Sequence, residues 1–279
     1  MKTIAHLSDL HFGTEIHAVA DALMADLHAQ SPSLLVVSGD LTQRARRSQF
    51  AAARDYLRRL PQPQLVVPGN HDIPLFDVGR RFLAPLTRYQ RFIGEQVNPV
   101  YCDDELFVAG LNTARAFTWK SGRISTAQLQ RLWENLWNVG DRLKIIVTHH
   151  PFIAPPRTAG IALVGRAAQA IPLLDACGVD LLLAGHLHQG YAGDIRTTYP
   201  QAQRAVISAQ AGTAISGRTR GEANAYNLLQ CDRDQIRIMV RAFQGGEFSA
   251  LSEALFVHSS HGWEPSSRSA KGPVRASGD

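Results

Sequence analysis

Strand-like and helix-like segments alternate along the chain, which predicts an α/β protein with largely parallel pairing in its first half. Two observations carry this. Runs of four or five Leu, Ile and Val, bounded by Gly or Pro, recur as in strands buried on both faces. Between them, apolar residues return at helical spacing. A third observation concerns function. Each of five runs ends in residues of metal-ligand type, and ligands of such sheets gather outside the carboxyl ends of the strands.

Taken in order, "TIAHLSDLH" ends in Asp9 and His11. Ile16, Val19, Ala20, Leu23, Met24 and Leu27 then form one amphipathic stripe. "LLVVSGD" delivers Asp40, and a second helix is expected over about 48–60, with Phe50, Tyr56, Leu57 and Leu60 inward and Pro61 as its stop. "QLVVPGNHD" delivers Asn70, His71 and Asp72. A third helix begins at "STAQ", where Ser125 and Gln128 have capping-box spacing, and continues through Leu129, Leu132, Trp133 and Leu136. "LKIIVTHH" ends in His149 and His150. A fourth helix precedes "CGVD", with Pro172 in its early turns and Gly178 at its end. "VDLLLAGHLH" ends in His186 and His188, and "YNLLQCDRDQIRIMVRAF" reads as a hairpin turning around residues 232–234. Two long loops, "FTWKSGRIS" and "PFIAPPRTAGIALVGRA", fall on the site side and have the length of functional lids. Residues 259–279 are rich in Ser, Gly and Pro and read as a disordered tail, leaving one domain over 1–258.

Composition narrows the function classes. The chain has 279 residues, 45% of them hydrophobic and 19% charged, enough to bury a sizeable core. The formal charge of +5 suits anionic substrates but is far from that of a nucleic-acid-binding arm. Three widely spaced cysteines with no CxxC pair exclude a disulfide framework and a thiolate zinc site, and fit a reducing compartment. The N-terminus has no sustained apolar core of a signal peptide, and no apolar run approaches the ~18 residues of a membrane span. The expectation is a soluble, cytoplasmic protein. Oligomeric state has no signature in the chain.

Alone, each cluster is weak: Asp-x-His and Gly-Asp after a strand are common in capped turns. His6, His17, His28, His258 and His261 lack strand-end placement and read as packed or solvated residues. What carries weight is the ordered set D-x-H, G-D, G-N-H-D, H and G-H-x-H at one rim. On these motifs the sequence resembles the calcineurin-like metallophosphoesterase superfamily, most nearly its cyclic-nucleotide and glycerophosphodiester phosphodiesterase branch. The resemblance implies a four-layer α-β-β-α sandwich with the site at the carboxyl ends of the strands. It implies two divalent or trivalent metal ions, of manganese, iron or zinc, held by Asp9, His11, Asp40 and His188 on one side and by Asp40, Asn70, His149 and His186 on the other. The residue types suit that task. A bridging aspartate offsets the repulsion of two cations, and a neutral asparagine carbonyl limits the negative charge met by an approaching phosphate. Such a pair can present a bridging hydroxide for in-line attack on phosphorus.

By the same resemblance His71 is the general acid that protonates the leaving alkoxide. At "THHP", successive side chains of an extended strand point opposite ways, so only one histidine should reach a metal. Similarity favours His149, leaving His150 as a supporting residue or part of the substrate rim. Arg44, Arg46 and Arg47 after Asp40, and Arg218 and Arg220 in a Gly-punctuated loop, are candidates for steering an anionic substrate, with Arg44 and Arg218 the foremost. Serine/threonine protein phosphatases carry G-D-x-x-D-R-G, whereas here "GDLTQRA" has Gln43 and Ala45 at the acid and final glycine positions. The expected activity is hydrolysis of a small phosphodiester. An exonuclease of the same superfamily is the alternative, with nucleic acid the less favoured substrate because no basic extension is present; a catalytically inactive metal-binding scaffold stands third.

Overall fold

The computed structural model describes residues 1–118, 120–155, 160–161 and 163–266. Two sheets stack face to face. One has the order β13-β12-β11-β10-β1-β2-β3 and contains β1 (Lys2–Leu7), β2 (Leu34–Val37), β3 (Gln64–Val66), β10 (Ala225–Cys231), β11 (Gln235–Gln244), β12 (Glu247–Ser259) and β13 (Gly262–Pro265). The other has the order β4-β5-β6-β7-β9-β8 and contains β4 (Val100–Cys102), β5 (Leu106–Leu111), β6 (Leu143–Thr148), β7 (Leu181–Ala184), β8 (Tyr191–Asp194) and β9 (Ile207–Gln210). β1, β2 and β3 pair in parallel, as do β5, β6, β7 and β9, so the expected parallel pairing is present in both sheets. The C-terminal strands of the first sheet are antiparallel.

Alternation along the strands explains the layers. Ile4, Val36, Ile145 and Leu183 point between the sheets into one apolar core. Ala5, Leu7 and Val37 point outward against Leu23 and Leu27 of α1 (His17–Gln30) and Phe50 of α2 (Arg47–Leu57). Ile146 and Leu182 point outward against Leu132 and Leu136 of α5 (Thr126–Trp137) and Ile171 and Leu174 of α6 (Ala167–Ala176). Two short helices, α3 (Val78–Leu83) and α4 (Thr87–Phe92), follow β3. The arrangement is the α-β-β-α sandwich expected. Among the described residues no helix is long and apolar enough to cross a membrane.

The capping box at α5 forms as the sequence predicts: Ser125 Oγ accepts from the Gln128 amide at 3.1 Å, and Gln128 Oε1 from the Ser125 amide at 2.9 Å. α2 ends a turn earlier than expected, because three-residue bonds from Arg59 and Leu60 back to Tyr56 and Leu57 close it before Pro61. In α6, Pro172 sits mid-helix. The domain boundary at 258 needs correction. β12 runs through Ser259 and β13 pairs back on it, with Trp263 buried and its Nε1 donating to Asp180 Oδ1 at 2.9 Å. A single tryptophan among Ser, Gly and Pro hid that strand. Residues 267–279 lie outside the described residues.

Candidate metal centre

β1, β2, β3, β6 and β7 all end on one rim, where the two sheets meet, and each delivers its polar cluster within a few residues of its last ladder bond. The chain turns sharply there. Asp9, His11, Asp40, His186 and His188 all have positive φ, between 45° and 73°, a region costly for residues with a side chain and characteristic of functional sites. The glycines of the motifs have a packing reason. A methyl on Gly69 would collide with Asp40 Oδ1, and one on Gly185 with Ser8 Oγ and, at 2.7 Å, Asp9 Oδ2.

All seven expected ligands converge. His11 Nε2 lies 3.4 Å from Asp9 Oδ1 and 3.6 Å from Asp40 Oδ2, and His188 Nε2 lies 3.5 Å from Asp9 Oδ1. On the other side His149 Nε2 lies 3.4 Å from Asp40 Oδ1, 3.1 Å from Asn70 Oδ1 and 3.3 Å from His186 Nδ1. Asp40 is the residue common to both halves. Backbone amides hold the carboxylates: His186 N donates to Asp9 Oδ2 at 2.9 Å, and His71 N to Asp40 Oδ1 at 2.8 Å. The imidazoles are held from behind, as ligating histidines are. His149 Nδ1 donates to the Ser38 carbonyl at 2.8 Å, and His188 Nδ1 meets Thr213 Oγ1 at 2.6 Å.

The two carboxylates and the His186 and His188 rings are in the protonation states a cation needs, while His149 must give up a proton when a cation binds. Burial alone would raise the carboxyls of Asp9 and Asp40, but the imidazoles of His188 and His11 around the first and of His149 around the second keep both well below the usual carboxylate range. Burial, with His149 beside it, pushes His186 down to about 4, and burial also lowers His188, so both rings are neutral with free lone pairs at pH 7. Burial opposes but the Asp40 carboxylate outweighs it at His149, raising that ring to about 9. Asp9 Oδ1 and both His11 ring nitrogens are buried without a hydrogen-bond partner among the described residues. Orphaned buried polar atoms of this kind call for an ion. Two anionic oxygen donors, one carbonyl and four imidazoles, with no thiolate, make a fitting set for two hard or borderline divalent cations.

The neighbours of these seven divide into those the sequence placed and those it missed. His71 lies beside the centre: its Nδ1 donates to the Gln43 carbonyl at 2.9 Å and its Nε2 accepts from Arg218 Nη1 at 3.3 Å. Asp72 anchors the turn. Its Oδ2 accepts from the Leu41 and Gly69 amides and its Oδ1 from the Thr42 amide and hydroxyl, at 2.9–3.1 Å. His149 and His150 do not diverge as strand alternation predicts. β6 stops at Thr148, and the bend after it brings both rings to one side, with centroids 4.8 Å apart and nitrogens of His149, His150 and His186 within 4.8 Å of one another. His150 has no exposed surface, which removes it from the substrate rim; its Nδ1 is held by Thr113 Oγ1 at 2.7 Å.

Arg44 and Arg218 both line a pocket of about 380 Å³ that opens beside Asn70 and His71. A larger cavity, about 560 Å³, between α2, β3 and the end of α4 has none of these groups and no histidine. His6 is buried between the sheets and bonded to Ser38 Oγ, while His17, His28, His258 and His261 are exposed. Thr113 and Thr213 went unnoticed in the sequence. They follow β5 and β9 as the ligands follow their strands, but "LFVAGLNT" is broken by Gly110 and "ISAQAGT" by Ser208 and Gln210. Of the two lid loops, Trp119, residues 156–159 and Ala162 lie outside the described residues. Phe152, Ile153 and Val164 are core residues, and Gly165 N donates to the Gly122 carbonyl, pinning the loops together.

A family model for the calcineurin-like phosphoesterases matches residues 2–190. The chain belongs to that family. It is accordingly a hydrolase, and the calcineurin-like family is one of metal-dependent phosphoesterases. A probable cyclic nucleotide phosphodiesterase of Synechococcus sp. is 26% identical over 200 residues, 68% of this chain and 74% of that protein. The glycerophosphodiester phosphodiesterase GpdQ of Enterobacter lignolyticus is 28% identical over 164 residues, 53% of this chain and 56% of that protein. Among solved structures, a purple acid phosphatase from yellow lupin (Lupinus luteus) seeds superposes with a TM-score of 0.65 at 12% identity, covering 89% of this chain. This chain spans about half of the lupin protein, 52%, so the likeness is one of fold.

Proposed function

We propose that this calcineurin-like phosphoesterase hydrolyses a small phosphodiester at a two-metal centre. One observation carries the reading. Asp9, His11 and His188 on one side and Asn70, His149 and His186 on the other are joined through Asp40 by contacts of 3.1–3.6 Å. In this reading Asp9, His11, Asp40 and His188 hold one ion, and Asp40, Asn70, His149 and His186 the other. Manganese, iron and zinc all suit these donors. When bound, such a pair supplies Lewis acidity toward the phosphoryl oxygens and generates a nucleophile from water at neutral pH.

The chain's own residues do the rest. Asn70, uncharged, completes the shell without adding to the repulsion of an anionic ester. His71 is fixed through Nδ1 by the Gln43 carbonyl, so Nε2 is the nitrogen that faces the pocket. Burial lowers its pKa, and Arg218 donates to Nε2 in the free protein. To hand a proton to a leaving alkoxide, Nε2 must first be protonated. That requires Arg218 to turn from the ring to the incoming phosphodiester, so substrate arrival and arming of the acid are linked. The two curated relatives, a probable cyclic nucleotide phosphodiesterase and a glycerophosphodiester phosphodiesterase, support a phosphodiester of modest size. Three free thiols support a reducing, cytoplasmic setting.

The test is elemental analysis together with turnover of bis(p-nitrophenyl) phosphate. Close to two ions per chain and metal-dependent turnover are expected. Asn70→Ala should lose both bound metal and activity; a fully active, fully loaded Asn70→Ala protein would defeat the assignment.

A further inference from the structure

The pocket beside His71 has walls of one sign. Arg44, Lys120 and Arg218 line it, Ile73 and Leu75 supply its apolar surface, and among the described residues no lining side chain is acidic. None of the three cations is paired with a carboxylate among the described residues. Arg218 Nη1 has only neutral partners, Gln43 Oε1 at 3.0 Å and His71 Nε2. Arg44 lies over the Phe76 ring at 5.4 Å, which fixes its guanidinium at the mouth without neutralising it. Three uncompensated positive groups around a concave, partly apolar space focus an attractive potential for anions. At about 380 Å³ the space is of ligand size.

Its position decides which part of a substrate enters it. His71 borders both the metal-ligand cluster and the pocket, and the group it protonates is the departing one. The departing alcohol, not the phosphoryl group retained at the centre, therefore occupies the cationic pocket. We propose that this enzyme selects phosphodiesters whose departing alcohol carries its own negative charge, such as a second phosphate, and discriminates against cationic departing groups. The inference rests on the phosphodiesterase reading above and adds the charge of the leaving half. In the reaction a water oxygen forms the new P–O bond and releases one proton to solvent. The bond from phosphorus to the departing oxygen breaks, the electron pair stays on that oxygen, and His71 Nε2 supplies its proton.

A charge ladder on one scaffold tests it. Glycerophosphocholine, glycerophosphoinositol and glycerophosphoinositol 4-phosphate present cationic, neutral and anionic departing alcohols, and phosphorus NMR identifies the bond broken. With the metal-loaded enzyme at low salt, kcat/KM is expected to rise along the series. A charge-assisted contact corresponds to roughly 10–100-fold between the last two esters. The ratio between them should fall toward one in Arg44→Gln/Lys120→Gln; both side chains are exposed, and an unchanged melting temperature would verify the fold. A flat or inverted ladder in the wild type, or release of glycerol instead of the headgroup, overturns this inference alone. No cleavage of any of the three esters or of bis(p-nitrophenyl) phosphate overturns the phosphodiesterase reading and this inference with it.

Discussion

His71 and Asp72 are neighbours with unrelated work. The His71 ring faces the pocket and is held by the Gln43 carbonyl and Arg218, only the backbone amide bonding to Asp40, so replacing the side chain should leave the cluster's seven donors in place. His71→Ala is therefore expected to retain both ions while kcat falls by roughly 10²–10⁴ for alkyl leaving groups. The loss should be smaller with p-nitrophenolate, which departs without a proton. Equal losses for both leaving groups would remove the proton-donor role. Asp72 holds the loops after β2 and β3 together through four hydrogen bonds. Burial, and after it the charge of Asp40, pushes its carboxyl up to about 6 despite those donors. A carboxyl raised in the folded state adds stability below its ordinary pKa near 4 and loses it as pH rises through the folded value. For chelator-treated protein, the melting temperature of the wild type minus that of Asp72→Asn should thus fall between pH 4 and 6.5. A difference independent of pH would show that Asp72 does not titrate there.

At the scale of elements, the strand ends supply the centre and other strand ends support it. β9 contributes Thr213 behind His188, and β5 contributes Thr113 behind His150. Removing such a support usually lowers metal affinity 10–100-fold. Thr213→Val, nearly the same shape without the hydroxyl acceptor and donor, is expected to weaken one of two ions by about that factor, read by competition with a chelator. Unchanged affinity at both sites would mean that packing alone holds the His188 ring. Both threonines follow strands whose apolar runs are interrupted, by Gly110 in "VAGLNT" and by Ser208 and Gln210 in "SAQAGT", so the pattern that marks the ligands is blurred there.

For the whole molecule, the question is where the folded unit ends. Composition ended it near 258, yet β13 closes the first sheet, and Trp263 ties that edge to Asp180 at the start of β7 in the other sheet. A chain ending at 258 should be less stable than one ending at 266 by about 3 kcal/mol or more, the usual effect of losing a buried tryptophan. Equal urea midpoints for the two would make β13 dispensable. The burial of Asp180 adds to the expectation. Burial raises its carboxyl, and without the indole donor one oxygen is left unsatisfied between the sheets.

The chain order of metal-ligand residues, the strands that carry them and the helices between them were legible in the sequence. Apolar runs and helical stripes are local patterns, and a strand's last residues must lie at its end in any fold. The side on which His149 and His150 face, the partners of His71 and the meeting of Arg44, Lys120 and Arg218 in one pocket were not legible. Each depends on where a loop from another strand arrives. Gln43 reaches His71 from 28 residues away because β2 and β3 pair side by side in one sheet, and Arg218 from 147 residues away on the segment that crosses from β9 in the second sheet to β10 in the first.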